Sequence, residues 1–243
     1  MKHVFTSILL TIGVSSVAQA QLAPQPSPAS KLEQKVGLTD VTIQYSRPSK
    51  KGRTVFGDLV PFGEVWRTGA NENTRLTNSD ALIFGKDSLK PGNYAVYTKP
   101  GKDSWDLIFY TDTDNWGTPE KWDDKKVALK VSAKPTALKD VVETFTISVD
   151  GLESVNGGTL TLKWDQTAVA FPFAVPTDAK VMANINKVMA GPSANDYFGA
   201  ANYYLENKKD LKKALDWATR ATELNPEAFW IFRTKSLIQA ELG

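Results

Sequence analysis

Val41-Thr42-Ile43-Gln44-Tyr45 decides the fold class. Apolar side chains at 41, 43 and 45 alternate with Thr42 and Gln44, the two-residue period of a strand buried on one face. Working outward, comparable runs predict strands near Arg75–Asn78, Ala81–Phe84, Tyr94–Thr98, Trp105–Tyr110, Val127–Val131, Val142–Val149, Thr159–Trp164 and Val169–Val175. Turn formers separate them at Pro91-Gly92-Asn93, Pro100-Gly101-Lys102, Asp150-Gly151 and Asn156-Gly157-Gly158. Without a helical segment between these strands, the expectation is a mainly β fold over residues 31–175. An antiparallel β-sandwich, jelly-roll-like, fits this pattern, and a parallel sheet with crossover helices does not.

The two ends of the chain read differently. Lys2, an apolar stretch from Val4 to Val17 and the small residues of Ala18-Gln19-Ala20 have the layout of a secretory signal peptide over residues 1–20, cleaved after Ala20. Residues 21–30, QLAPQPSPAS, read as a Pro-rich linker. The expected location is periplasmic or secreted, and no later stretch is apolar enough to span a bilayer. After Pro176 the period lengthens. Val181, Ile185, Val188 and Met189 predict a connecting helix within residues 176–192. Beyond it, Ser193 can cap a helix through Leu205, a second runs from Leu211 to Leu224, and a third from Pro226 to about Leu242.

That C-terminal segment, residues 193–243, resembles a tetratricopeptide repeat in Phe198, Leu205, Ala214, Ala221 and Pro226, and departs from it at Asn202 and Ala218. One repeat and a closing helix cannot bury their apolar faces alone. Tyr203, Tyr204, Phe229, Trp230 and Phe232 are therefore expected to dock on the sandwich, giving a monomer with one continuous core.

Composition narrows the chemistry. The formal net charge is +2, with 29 Lys and Arg against 27 Asp and Glu, so there is no broad electrostatic footprint for nucleic acid. Cysteine is absent, which excludes disulfides, thiolate metal sites and Cys nucleophiles. The single histidine, His3, lies in the segment read as removed, so imidazole catalysis and His-ligated metals are excluded from the mature chain. No cofactor is implied.

The densest polar-aromatic cluster runs from Pro61 to Thr74. Trp66 and Arg67 offer a flat apolar face and a planar fork of donors, and Asn71, Glu72 and Thr74 can complete a set of hydrogen bonds around a sugar or carboxylate. These five residues are the candidate ligand site. The same segment also has a packing explanation, a core Trp66 with Arg67 paired to Glu64 or Glu72. Asp112 and Asp114 alternate before Gly117 as in a calcium loop, with Asp123 eleven residues after Asp112, although Trp116 stands where a ligand oxygen is needed and Asp123 replaces the bidentate Glu. Trp116 and Trp122 flank that turn as either stacking platforms or core caps. Arg47, Lys50, Lys51 and Arg53 form a basic loop, and Ser132 and Lys134 share one strand face. The expected function is a non-catalytic binding module of the cell envelope, with a glycan or peptide as partner. The alternative is a glycoside hydrolase using Glu64 and Glu72, for which the two carboxylates must face one cleft.

The run YSRPSKKGRTVFGDLVPFGEVWRTGANENT at 45–74, with LKPGNYAVYTKPG at 89–101 and WDLIFYTDTDNWG at 105–117, resembles the bacterial domain-of-unknown-function family 2911 over residues 31–175. The resemblance implies a β-sandwich, export, and tetratricopeptide-like helices behind the domain. It carries over no activity and no site residue.

Overall fold

The computed structural model describes residues 24–189 and 191–243, so the signal-peptide reading of residues 1–20 lies outside the described residues. Ten strands follow in chain order: β1 (Ala29–Val36), β2 (Thr39–Ser46), β3 (Thr74–Asn78), β4 (Leu82–Phe84), β5 (Asp87–Leu89), β6 (Gly92–Lys99), β7 (Trp105–Tyr110), β8 (Val127–Ala133), β9 (Pro135–Asp150) and β10 (Gly157–Ala174). They form a six-stranded sheet in the order β1-β2-β3-β6-β7-β8 and a four-stranded sheet in the order β5-β4-β10-β9. Every pairing between them is antiparallel. The expected mainly β sandwich is therefore present, and it is not a closed barrel.

The alternation seen at Val41–Tyr45 is the inner face of β2, where Val41, Ile43 and Tyr45 are buried. Leu76, Val96, Leu107 and Phe109 face the same interior from the six-stranded sheet, opposite Phe145, Ile147, Leu160, Leu162, Trp164 and Phe171 of the other. Burial of each such side chain is worth about 1.5–3 kcal/mol, and this layer holds the fold together.

Three departures from the sequence pattern have physical causes. β1 begins inside the expected linker. Its Lys31, Glu33 and Lys35 lie on an edge strand, where charge discourages pairing with another chain, and this hides the alternation. The strands predicted at Thr159–Trp164 and Val169–Val175 are one continuous β10, and that predicted at Val142–Val149 is the distal part of β9. Between them β9 bulges, with register shifts on either side of Asp165, which itself has φ +53°. The backbone groups this frees find partners elsewhere: Lys50 N donates to Glu143 O at 2.9 Å, Phe145 N to Pro48 O at 2.9 Å, and Trp164 Nε1 to Glu143 O at 3.1 Å. The basic loop is thereby built into the sandwich. Lys50 pairs with Asp165 at 2.6 Å, and Arg47 and Arg53 donate to backbone carbonyls.

Four helices follow, α1 (Thr177–Val188), α2 (Ala194–Glu206), α3 (Leu211–Leu224) and α4 (Phe229–Leu242). Ser193 and Asp196 form a reciprocal capping box on α2. The third helix starts at Phe229 and not at Pro226, whose segment is a turn. Ala214, Ala218 and Ala221 are fully buried on α3, which lets α2 and α4 approach closely.

The expectation of one continuous core is not met. Ala201, Tyr204, Ala214, Ala218 and Ile238 form a helical cluster of their own, and Ala221, Ala228 and Ile231 another, with no strand residue in either. Phe229, Trp230 and Phe232 remain 76%, 44% and 43% exposed instead of docking on the sheets. Tyr204 is instead buried within the helical unit, its ring 4.8 Å from that of Trp217, and the buried alanines let the helices close around Ile231 and Ile238, which leaves Phe229, Trp230 and Phe232 at the surface. Polar links join α1 to the strand region: Thr177 Oγ1 donates to Val155 O at 2.6 Å, and Lys180 Nζ pairs with Asp80 at 2.8 Å.

Candidate functional site

The outer face of the six-stranded sheet is divided. Over β6 and β7, Ala95, Tyr97, Ile108 and Tyr110 are sealed by Val65, Trp122 and Val127, so Trp122 is a cover for this second small core. Its ring lies 4.6 Å from that of Tyr110. Over β1, β2 and β3 the same face is polar and open. There a cleft of about 480 Å³ is lined by Gln25, Ser27, Ser30, Lys31, Gln44, Ser46, Asn71, Glu72, Asn73, Arg75 and Trp116, with Ala29 and Tyr45 completing it.

One wall is the Arg67–Thr74 segment. Its backbone is held in conformations that ordinary residues avoid: Thr68 has φ +56° and Asn71 φ +58°. For a β-branched, fully buried Thr68 this is strain, and the surrounding bonds enforce it. Thr74 Oγ1 donates to Thr68 O at 2.6 Å, and the Thr68 and Thr98 hydroxyls lie 3.1 Å apart. The turn aims Asn71 back across the strand ends, where its Nδ2 donates to Ser27 O at 3.0 Å and to Ser46 Oγ at 3.2 Å. In this way the segment fixes the N-terminal strand of backbone that forms the opposite wall.

The rim is tied to the same segment. Asn73 Nδ2 donates to Thr113 O at 3.3 Å, and the Tyr97 hydroxyl donates to Gly117 O at 3.1 Å. Burial pushes the Tyr97 hydroxyl above its ordinary range, which keeps it a donor. Gly117 has φ +80°, and a Cβ there would lie 2.7 Å from Arg67 Nη1, so the Arg67 side chain rests against this glycine. Trp116, next to it, projects at the rim and is 70% exposed.

The sequence-picked residues therefore separate. Asn71 and Glu72 line the cleft. Trp66 does not: its ring stacks on Trp164 at 5.8 Å and meets Phe145 at 5.0 Å, while its Nε1 donates to Gly69 O at 3.1 Å. Thr74 is buried on the inner side, and Arg67 lies outside the lining, against Gly117. Glu72 is held by Arg75 Nη2 at 3.1 Å, and Glu64 lies outside the lining. Gln44, Asn73, Arg75 and Trp116 join the site. Gln44 and Arg75 were legible as the outward positions of their strands, and Trp116 as one of two alternatives at its turn.

The three carboxylates of the calcium-loop reading do not converge. Asp112 pairs with Lys126 at 2.7 Å, and the hydrogen bond from that ammonium holds its carboxyl below the usual range. Asp123 caps the short helix at Asp124–Lys126 by accepting from Lys125 N, and no group of three potential metal-ligating residues occurs among the described residues. Ser132 Oγ donates to Asp106 Oδ1 at 2.6 Å, which gives it a structural partner.

Fold and cleft together define a class of protein: a two-sheet antiparallel sandwich with an open, amide-rich cleft on the outer face of its larger sheet, followed by a helical unit. The chain belongs to the DUF2911 family, described as a protein family of unknown function, whose model matches residues 27–173. That span takes in the strands and nearly all of the cleft lining. No curated protein and no solved structure matches the chain.

Proposed function

We propose that the protein is an exported, non-catalytic binding module of the cell envelope whose ligand is a glycan held in the cleft beneath Trp116. The observation that carries this is an indole 70% exposed at the rim of a cleft whose walls are amides and hydroxyls. A sugar ring has an apolar C–H face that packs on an indole, and hydroxyls that match planar amide, carboxylate and guanidinium groups. The cleft is open and polar, without the deep apolar pockets a peptide's anchor side chains fill, which favours a glycan.

Binding is favoured over glycoside hydrolysis for a related reason. Among the described residues Glu72 is the sole carboxylate lining the cleft and is paired with Arg75, whereas hydrolysis uses two carboxylates across the scissile bond. The layout of residues 1–20 supports export to the periplasm or beyond, and no described helix is long and apolar enough to cross a membrane. The module acts as a monomer in this reading.

Screening the mature chain from Gln21 against arrays of glycans, peptidoglycan fragments and envelope peptides tests the proposal. Glycan retention that is lost in Trp116→Ala is expected. Retention of peptides alone, or of nothing at millimolar concentration, would overturn it.

A further inference from the structure

Across the floor of the cleft, Lys31, Gln44 and Arg75 lie side by side on the outer face: Lys31 is the register partner of Gln44, and Gln44 of Arg75. Two strand spacings separate the outer pair, about 10 Å between backbones, so both long side chains can reach the point above Gln44. Arg75 is held from one side, its Nε donating to Asn73 Oδ1 at 3.3 Å and its Nη2 to Glu72 Oε2 at 3.1 Å. A guanidinium fixed in this way keeps Nη1 for a ligand and loses little freedom on binding one. Lys31 is held less firmly, by one exposed ion pair. Its partner Glu33 lies outside the cleft lining and both side chains are more than half exposed, so the ammonium can exchange that partner for another at small cost. Gln44, exposed between them, adds an amide donor. Among the described residues that line the cleft, the charged side chains are Lys31, Arg75 and Glu72, and the present partner of Lys31, Glu33, stands outside it.

Resting on the glycan reading above, we infer that this row is a carboxylate subsite, and that the ligand is an acidic saccharide whose ring packs against Trp116 while its carboxylate sits over Gln44 between Lys31 and Arg75. A uronic acid or a lactyl-ether hexosamine presents the same group.

The test is calorimetry on the mature chain with two probe pairs: an oligogalacturonate against its carboxyl-reduced form, and an N-acetylglucosamine–N-acetylmuramic acid disaccharide against its carboxyl-reduced form. At least one acid is expected to bind about tenfold more tightly than its reduced partner, and which pair shows it identifies the source of the carboxylate. That ratio should fall towards one in Arg75→Gln and in Lys31→Gln, and persist in Lys139→Gln at an exposed position outside the cleft. Equal binding of acid and reduced forms, still dependent on Trp116, would overturn the carboxylate subsite and leave the glycan reading standing. If no probe binds here and no glycan is retained on the arrays, both fall.

Discussion

Trp66 and Trp116 belong to the two most distinctive stretches of the sequence, and the fold uses them in opposite ways. Trp66 exchanges both backbone hydrogen bonds with Thr98, at 2.7 and 2.9 Å, so its side chain is directed between the sheets among Trp164, Phe145 and Phe56. Trp116 lies in the loop after β7, beside a glycine with φ +80°, and its ring faces solvent at the cleft rim. The difference lies in what holds the backbone. A strand-like bridge commits a tryptophan to the interior, whereas a turn held by Tyr97, Asn73 and Arg67 presents one outward. An aromatic residue within a polar cluster is therefore a ligand candidate only once its backbone partners are known.

The largest expected effect is on the interior side. Trp66→Ala should destabilise the protein by about 3–5 kcal/mol, read as a shift in urea midpoint with little change in slope. A loss below about 1 kcal/mol would break the comparison, because Trp66 would then not be packed as described. Gly117→Ala comes next. Its cost, about 1 kcal/mol, arises from the positive φ more than from the contact with Arg67, whose guanidinium can move. It should weaken glycan binding far more than a mutation of equal thermodynamic cost in the interior.

Acid should separate the two regions further. The Asp112 carboxyl is held low by the hydrogen bond from Lys126, so its contribution is complete above the ordinary value of 3.8 and is lost as pH falls through the lowered folded value. Exposed-tryptophan quenching by iodide, followed from pH 7 to pH 2.5, should report a change at the Trp116 loop below about pH 4, before the interior fluorescence responds. Lys126→Met, which removes the partner, should move that change to higher pH. The smallest effect on stability is that of Trp116→Ala, within about 0.5 kcal/mol of wild type in the same urea experiment.

Much of this architecture could be read from residue types. The alternation at Val41–Tyr45, the turn residues and the Ser193 cap all reflect local rules and reappear in the structure. What escaped was non-local. Lys31, Glu33 and Lys35 conceal an edge strand, and the single β10 runs opposite a bulge in β9 whose compensating partners lie at Pro48 and Lys50, far away in sequence. The cleft was half legible: Asn71 and Glu72 reach it, but Trp66 and Thr74 turn inward because of pairings with Thr98 and Thr68. No pattern in the C-terminal segment distinguished helices that pack through alanines from helices that dock through Phe229 and Trp230.

The most direct measurement uses the seven tryptophans as separate reporters. Indole N–H resonances are assigned by single substitutions and followed by NMR while an acidic glycan fragment is titrated into the chain from Gln21 onward. The Trp116 signal should move in proportion to occupancy while those of Trp66, Trp105 and Trp164 stay in place. A stationary Trp116 signal, or saturable shifts confined to the interior tryptophans, would contradict a binding cleft beneath Trp116.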